Sequence, residues 1–337
     1  MFVVADKPET KWDTTKGDNQ PIVIAPLDKG SLKSRKIFTM GSCFAVRIRQ
    51  QLGEMGFDTY PKYYDMQFDP RVSSIGKLPT NDNVNHYSVV SILQELKNVE
   101  QDGALFKPEY FFDFTGKNFT RPLQLFVKRI LQQNERDFVA RWQDPFRRDV
   151  YAKDFETICH VSKLVTRTIG NAIKSCDLFV FTMGMTEIWR ERRGGLAICN
   201  SYGGKADAHL CYFDDLDFAE TKRQMVELVR VVKRFNSQAE IVFTVSPIPL
   251  ARTSRPESVV VANQASKSKQ RAAVDEVCRE FPNVHYFPSF ELAHDRDFYE
   301  PDGRHVRGEK FPHIVDTFAR WYSGRVSQEA DARHASH

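Results

Sequence analysis

Lys36-Ile37-Phe38-Thr39-Met40-Gly41-Ser42-Cys43-Phe44-Ala45 runs from an apolar stretch into a glycine, and two side chains able to act as nucleophiles follow at once. The next ten residues, Val46-Arg47-Ile48-Arg49-Gln50-Gln51-Leu52-Gly53-Glu54-Met55, mix apolar and polar positions at helical spacing. The reading is strand, sharp glycine turn, helix N-terminus. Such a unit sets a hydroxyl or thiol at the carboxyl edge of a parallel sheet, where open α/β folds bind ligands. The unpaired N–H groups of a helix N-terminus favour an oxyanion or a thiolate at the same place.

Outward from this unit the pattern repeats. Asp177-Leu178-Phe179-Val180-Phe181-Thr182-Met183 is a near-continuous apolar run stopped by Gly184, as expected of a strand covered on both faces. Glu240-Ile241-Val242-Phe243-Thr244-Val245, stopped by Ser246-Pro247-Ile248-Pro249, and Val284-His285-Tyr286-Phe287 read the same way. Apolar residues at helical spacing predict helices over 155–174, 218–235, 263–280 and 311–322. Helix feeding strand, repeated, predicts an α/β fold: a three-layer α/β/α doubly wound parallel sheet with right-handed crossovers.

The chain has 337 residues, 41% hydrophobic and 12% aromatic, enough for a sizeable core in one domain spanning 1–326. Segment 101–148, with its Tyr110-Phe111-Phe112-Asp113-Phe114 cluster and a helical pattern over 122–143, reads as an inserted helical and aromatic lid. Residues 192–213 read as a second irregular loop near the same sheet edge, and 327–337 as a disordered polar tail. The net charge of +4 is small and interleaved, which disfavours a nucleic-acid partner. No apolar run approaches a membrane span, and the N-terminal twenty residues lack the apolar core of a secretory signal, so the expected location is cytoplasmic. The six cysteines are scattered without a C-x-x-C pair, so no metal is expected.

Three strand ends carry suitable chemistry: Ser42-Cys43, Gly184-Met185-Thr186-Glu187, and Asp302-Gly303-Arg304-His305. An aspartate three residues before a histidine can hold the imidazole by its Nδ1–H while the other nitrogen faces a nucleophile. Thr186 and turn N–H groups could direct donors toward an oxyanion.

Read together, these segments resemble the GSCFA family, which belongs to the SGNH/GDSL hydrolase-like superfamily. Gly41-Ser42-Cys43-Phe44-Ala45 spells the family's name motif. Phe68-Asp69-Pro70 with Ser73-Ser74-Ile75, Asn85-His86-Tyr87-Ser88, Thr182-Met183-Gly184-Met185-Thr186-Glu187-Ile188-Trp189, Val245-Ser246-Pro247-Ile248-Pro249 and Asp302–His305 resemble its later elements in order. The resemblance implies an SGNH-hydrolase-like sheet of flavodoxin-like strand order and an acyl-transfer site. Laid without gaps on the SGNH blocks, Cys43 takes the nucleophile position and Ser42 the preceding acidic one. A one-residue slip makes Ser42 the nucleophile instead. Gly184, Thr186 and Glu187 fall on the third block, where Thr186 replaces the oxyanion-binding asparagine. Asp302 and His305 fall directly on the last. Gly76 or the N–H groups of Ser73-Ser74 stand in for the block II glycine.

Further candidates are Trp189 as pocket wall, Arg190 as substrate anchor and His86 facing the cleft. Cys199 reads either as pocket lining or as structural, and Ser42 also reads as a helix N-cap. Thr186-Glu187 also reads as a helix start. Lys267-Ser268-Lys269-Gln270-Arg271 reads as a solvated helix face. The implied activity is hydrolysis or transfer of an acyl ester, with a small-molecule or saccharide ester as substrate, through a Cys/Ser-His-Asp acyl-enzyme. No cofactor is expected; a transferase could draw on acyl-CoA, although no phosphate-cradling glycine loop is present. The alternative is a non-catalytic carbohydrate-binding or assembly protein on a degenerate SGNH scaffold.

Overall fold

Side chains of a strand alternate between faces, and Lys36–Gly41 (β1) shows what that does here: Ile37 enters one apolar cluster while Phe38 and Met40 enter another. The computed structural model describes residues 2–5, 22–63, 66, 84–113, 142–148, 150–152, 154–199, 209–291 and 296–325. Four more strands run parallel to β1: Asp58–Tyr60 (β2), Leu178–Met183 (β3), Glu240–Val245 (β4) and Val284–Tyr286 (β5). Their spatial order is β5-β4-β3-β1-β2, the flavodoxin-like order. Every residue of β3 and β4 is buried, which is why both read as apolar runs without polar alternation.

Helices Cys43–Glu54 (α1) and Phe311–Ser323 (α6) cover one face, packing Phe44, Ile48, Leu52, Ile314, Phe318 and Trp321 against Ile37, Leu178, Val180 and Val242. Helices Val89–Glu100 (α2), Phe155–Ser175 (α3), Phe218–Phe235 (α4) and Val259–Glu280 (α5) supply the larger cluster on the other face, against Phe38, Phe179, Phe181 and Phe243. The result is the expected three-layer α/β/α fold. Side chains cap four of these starts: Ser88, Asp154, Asp217 and Ser258 each accept an N–H from the first turn, a contribution of about 1 kcal/mol apiece.

Three expectations about local structure change. Thr186-Glu187 does not open a helix: Glu187–Glu191 is a strand. That strand pairs antiparallel with Ala197–Ile198 and Cys211–Asp215, so the stretch expected as an irregular loop carries a three-stranded sheet beside the carboxyl edge. Of the expected lid helix over 122–143, only Trp142–Gln143 falls within the described residues. It is a short strand between Phe112–Asp113 and Tyr151–Ala152. The tail 327–337 lies outside the described residues. No described helix is long and apolar enough to cross a membrane.

Candidate active site

In this strand order the chain turns opposite ways after β1 and β3, which makes their carboxyl ends the switch point where open α/β sheets carry their ligand crevice. Gly41 ends β1 and Gly184 follows β3 directly. Gly41 has φ +153°, and a Cβ there would lie 2.2 Å from the Thr182 carbonyl oxygen. That closeness lets the Ser42 N–H donate to the same oxygen at 3.2 Å. A Cβ on Gly184 would sit 3.2 Å from the Tyr87 carbonyl oxygen and 3.5 Å from Ser42 Cβ. The Tyr87 carbonyl accepts the N–H groups of Gly184 and Met185 at 2.8 and 3.0 Å, and the His86 N–H donates to Gly41 O at 2.9 Å. The segment before α2 therefore stitches the two strand ends together.

Ser42 is the N-cap of α1 by backbone conformation, but its side chain makes no capping bond. Its Oγ is buried without a hydrogen-bond partner among the described residues. Cys43, the first helical residue, is half-buried. Burial dominates and holds its thiol above the ordinary thiol value, with the charges of Arg148 and Arg304 and the N–H groups of Phe44 and Cys43 only partly offsetting it. The Arg148 guanidinium donates to the Tyr87 hydroxyl and lies over that ring, 5.9 Å from its centroid.

The Asp302–His305 turn is built around one carboxylate. Asp302 Oδ1 accepts the N–H groups of Arg304 and His305, both at 2.9 Å, and Oδ2 meets His305 Nδ1 at 2.5 Å. The bond from His305, with the two backbone donors, holds the Asp302 carboxyl well below the usual carboxylate range. Gly303, at φ +65°, makes the turn possible. Arg304 Nε donates to Pro249 O at 3.2 Å and the Tyr299 hydroxyl to Pro247 O at 2.9 Å, which lashes the turn to the loop after β4. His305 is exposed, and among the described residues no hydrogen bond joins it to Ser42 or Cys43. The neighbouring Arg304 charge is the turn's reach toward the thiol.

The remaining candidates sit as follows. Thr186 is fully buried; its hydroxyl donates to Asp215 Oδ1 at 2.8 Å and its N–H to Ser266 Oγ at 2.8 Å. That hydroxyl proton is directed away from the crevice. Glu187 accepts the Thr253 hydroxyl at 2.7 Å and the Ser254 N–H at 2.9 Å, anchoring the loop after β4. Arg190 spans the side sheet, donating to Asp214 Oδ2 at 2.7 Å and Gly195 O at 3.0 Å. Trp189 packs edge-on against Phe213 in the same sheet.

His86 does not face the cleft. Its ring is fully buried, 3.4 Å from Cys199 Sγ and 3.4 Å from Glu95 Oε2. Cys199 donates to Phe146 O at 2.7 Å, a structural placement. Beneath lies a buried ion cluster in which the Arg147 guanidinium bonds Glu95, Asp144 and Ser162. Ser74 and Gly76 lie outside the described residues. No group of three metal-binding side chains occurs among the described residues.

The residue that the sequence hid is Lys267. The expected solvated face is half wrong: Ser268 is exposed, but Lys267 and Gln270 are buried. They belong to the inward stripe of α5 with Ala262, Ser266, Ala273, Val274 and Val277, at helical spacing. Lys267 Nζ donates to Gly184 O at 2.7 Å, directly under the crevice. Burial lowers its ammonium to about 7, with Cys43 opposing that fall and Arg304 reinforcing it.

Comparison with known proteins gives one family-level match: the GSCFA family model covers residues 36–318. No curated protein matches the chain. Among solved structures, a carbohydrate esterase family 2 enzyme with its carbohydrate-binding domain from Corynascus thermopiles (Myceliophthora fergusii) aligns at 17% identity and TM-score 0.28, over 43% of this chain and 36% of that one. A peptidoglycan O-acetylesterase aligns at 13% identity and TM-score 0.27, over 50% and 41%. The chain thus spans well under half the length of either.

Proposed function

The chain belongs to the GSCFA family, and from that premise we propose that it is an SGNH-type acyl-ester hydrolase or O-acyltransferase acting on an acylated saccharide, with Cys43 as nucleophile. The observation that carries the choice of Cys43 over Ser42 is the contrast at the α1 N-terminus. Cys43 is reachable and faces two guanidinium charges and two backbone donors. Ser42 Oγ is buried, and no described residue donates to it or accepts from it. A thiolate is the stronger nucleophile and is favoured at a helix N-terminus beside cations.

In this reading the Cys43 thiol adds to the ester carbonyl and its proton passes to His305, which Asp302 keeps oriented. The tetrahedral oxyanion lies against the N–H groups at the start of α1. Collapse breaks the C–O bond, and the departing alcohol takes the proton from His305. A thioester remains on Cys43. Water resolves it in a hydrolase, a second hydroxyl in a transferase. Hydrogen bonds of this kind commonly close only on substrate binding, which accommodates the open His305–Cys43 geometry.

A second reading rests on Thr186. With the oxyanion-binding asparagine replaced and the threonine hydroxyl turned to Asp215, the scaffold would serve as a non-catalytic saccharide-binding or assembly protein. Intact-protein mass spectrometry after incubation with p-nitrophenyl acetate separates the two. The enzyme reading expects an acetyl adduct and turnover in wild type and Ser42→Ala, both lost in Cys43→Ala and His305→Ala. Loss in Ser42→Ala with retention in Cys43→Ala moves the nucleophile by one residue. A wild type with no adduct and no turnover favours the binding protein.

A further inference from the structure

Lys267 is an unusual lysine. Its side chain is fully buried, yet no carboxylate lies within ion-pairing distance of it among the described residues, and its bond to Gly184 O uses one of three N–H donors. An ammonium in that position is costly unless an anion compensates it, and a buried lysine without one is rarely kept for stability. The carbonyl it holds belongs to the glycine packed against Ser42, at the turn facing the α1 N-terminus. The group whose negative charge would favour the ammonium is Cys43.

We propose that Lys267 is a positioning residue of the Cys43 site, its buried ammonium supplying the counter-charge that favours the Cys43 thiolate. The proposal rests on Cys43 being the reactive group of the preceding section. Coupling between two ionisable groups is reciprocal: whatever the thiolate lends to the ammonium, the ammonium lends to the thiolate. Proton balance is simple. The pair loses one proton to solvent, leaving sulfur negative and nitrogen positive, and no further reactant is needed.

The other groups facing the pair are known. Arg148 and Arg304 act on Cys43 from the segment before Tyr151–Ala152 and from the Asp302–His305 turn, and the Tyr87 phenol adjoins from the segment before α2. Arg304 also opposes the Lys267 ammonium. Asp215, the carboxylate bonded to Thr186 in this turn, is also taken by Lys269 and Arg255.

The test is iodoacetamide alkylation of Cys43, read by peptide mass spectrometry from pH 6 to 10, in the full-length chain. Lys267→Met removes charge and hydrogen bond; Lys267→Gln keeps a donor for Gly184 O and removes only charge; Lys267→Arg keeps charge. Either neutral variant that folds should alkylate about tenfold more slowly at pH 6 to 6.5, below the lysine's value of about 7 where wild type carries the ammonium, and the gap should close as pH rises past that value, since one unit of thiol pKa is tenfold in thiolate. Lys267→Arg should restore the wild-type rate. A neutral variant with the wild-type profile overturns the proposal, as does an arginine variant as slow as the neutral ones. Alkylation reads ionisation whether or not esters are turned over. An inactive wild type with Lys267-dependent alkylation therefore sinks only the enzyme reading, and an active one with Lys267-independent alkylation sinks only this inference.

Discussion

Gly41→Ala should disable the crevice without touching a reactive side chain. The new Cβ would lie 2.2 Å from Thr182 O, so the contact must open by at least about 0.8 Å to reach the 3.0 Å below which such contacts are essentially never found. The obstacle is backbone within a sheet pair, and Gly41 is itself in register with Thr182, so no side chain can swing aside. Opening the pair breaks the Ser42 N–H bond to the same oxygen, worth about 1–3 kcal/mol when a buried partner is orphaned. The φ of +153° adds about 1–3 kcal/mol of backbone strain for alanine. The sum is about 2–6 kcal/mol. At ~2.1 cal/mol/K per residue, a chain of 337 residues moves its melting temperature by roughly 1.4 °C for each kcal/mol, so a drop of about 3–9 °C is expected by circular dichroism. Ester turnover by folded protein should fall at least ~100-fold, since a displacement near 1 Å is enough for that. Gly30→Ala is the control. Its φ of +79° carries strain but no atom lies within 4 Å of the new Cβ, so it should lose only about 1 kcal/mol and leave turnover intact. Equal melting temperatures and equal activities for the two variants would refute the steric argument.

Arg147→Met should destabilise by about 3–5 kcal/mol in urea titration, because it strands Glu95 and Asp144 in the core. Burial opposes the Glu95 carboxylate, but Arg147 and His86 bring it down to about 2. Its contribution is therefore complete above the unfolded value near 4.5 and is lost as pH falls through about 2. Wild-type stability should decline progressively over that window, and Arg147→Met should flatten the decline. Thr186→Val should lower stability by about 1–2 kcal/mol through the lost bond to Asp215 while kcat changes less than tenfold; a fall of 100-fold or more would make its hydroxyl an oxyanion donor after all. Arg304→Gln removes one of the two guanidinium charges acting on Cys43, so the midpoint of Cys43 alkylation should move to higher pH while far-UV circular dichroism stays that of wild type.

Most of the central sheet was legible because buried parallel strands must be apolar throughout. Glu240–Val245 and the helix Phe218–Phe235 are found at the expected bounds. Asp58–Tyr60 was not, since a three-residue edge strand needs no apolar run. Helix Val89–Glu100 was hidden because Ser91, Gln94, Glu95 and Asn98 are buried polar residues that blur its apolar stripe. The same physics concealed Lys267: inward polar residues look like surface until their partners are known. The Asp302–His305 bond follows from local spacing and was readable. The commitment of Thr186 to Asp215 was not, because it depends on a cross-strand register 29 residues away.

Among the described residues the two large apolar clusters lie on opposite faces of the sheet, α1 and α6 packing into one and four helices into the other. Their free energies should therefore be nearly separable. Truncations paired across the sheet from distant positions, such as Leu52→Ala with Val229→Ala, should sum to within about 0.5 kcal/mol. Pairs that both touch Gly41 or Gly184, where the layers share a backbone contact, should not. That gives the molecule two independent reserves of stability, either of which can drift in composition while the crevice between them keeps its shape.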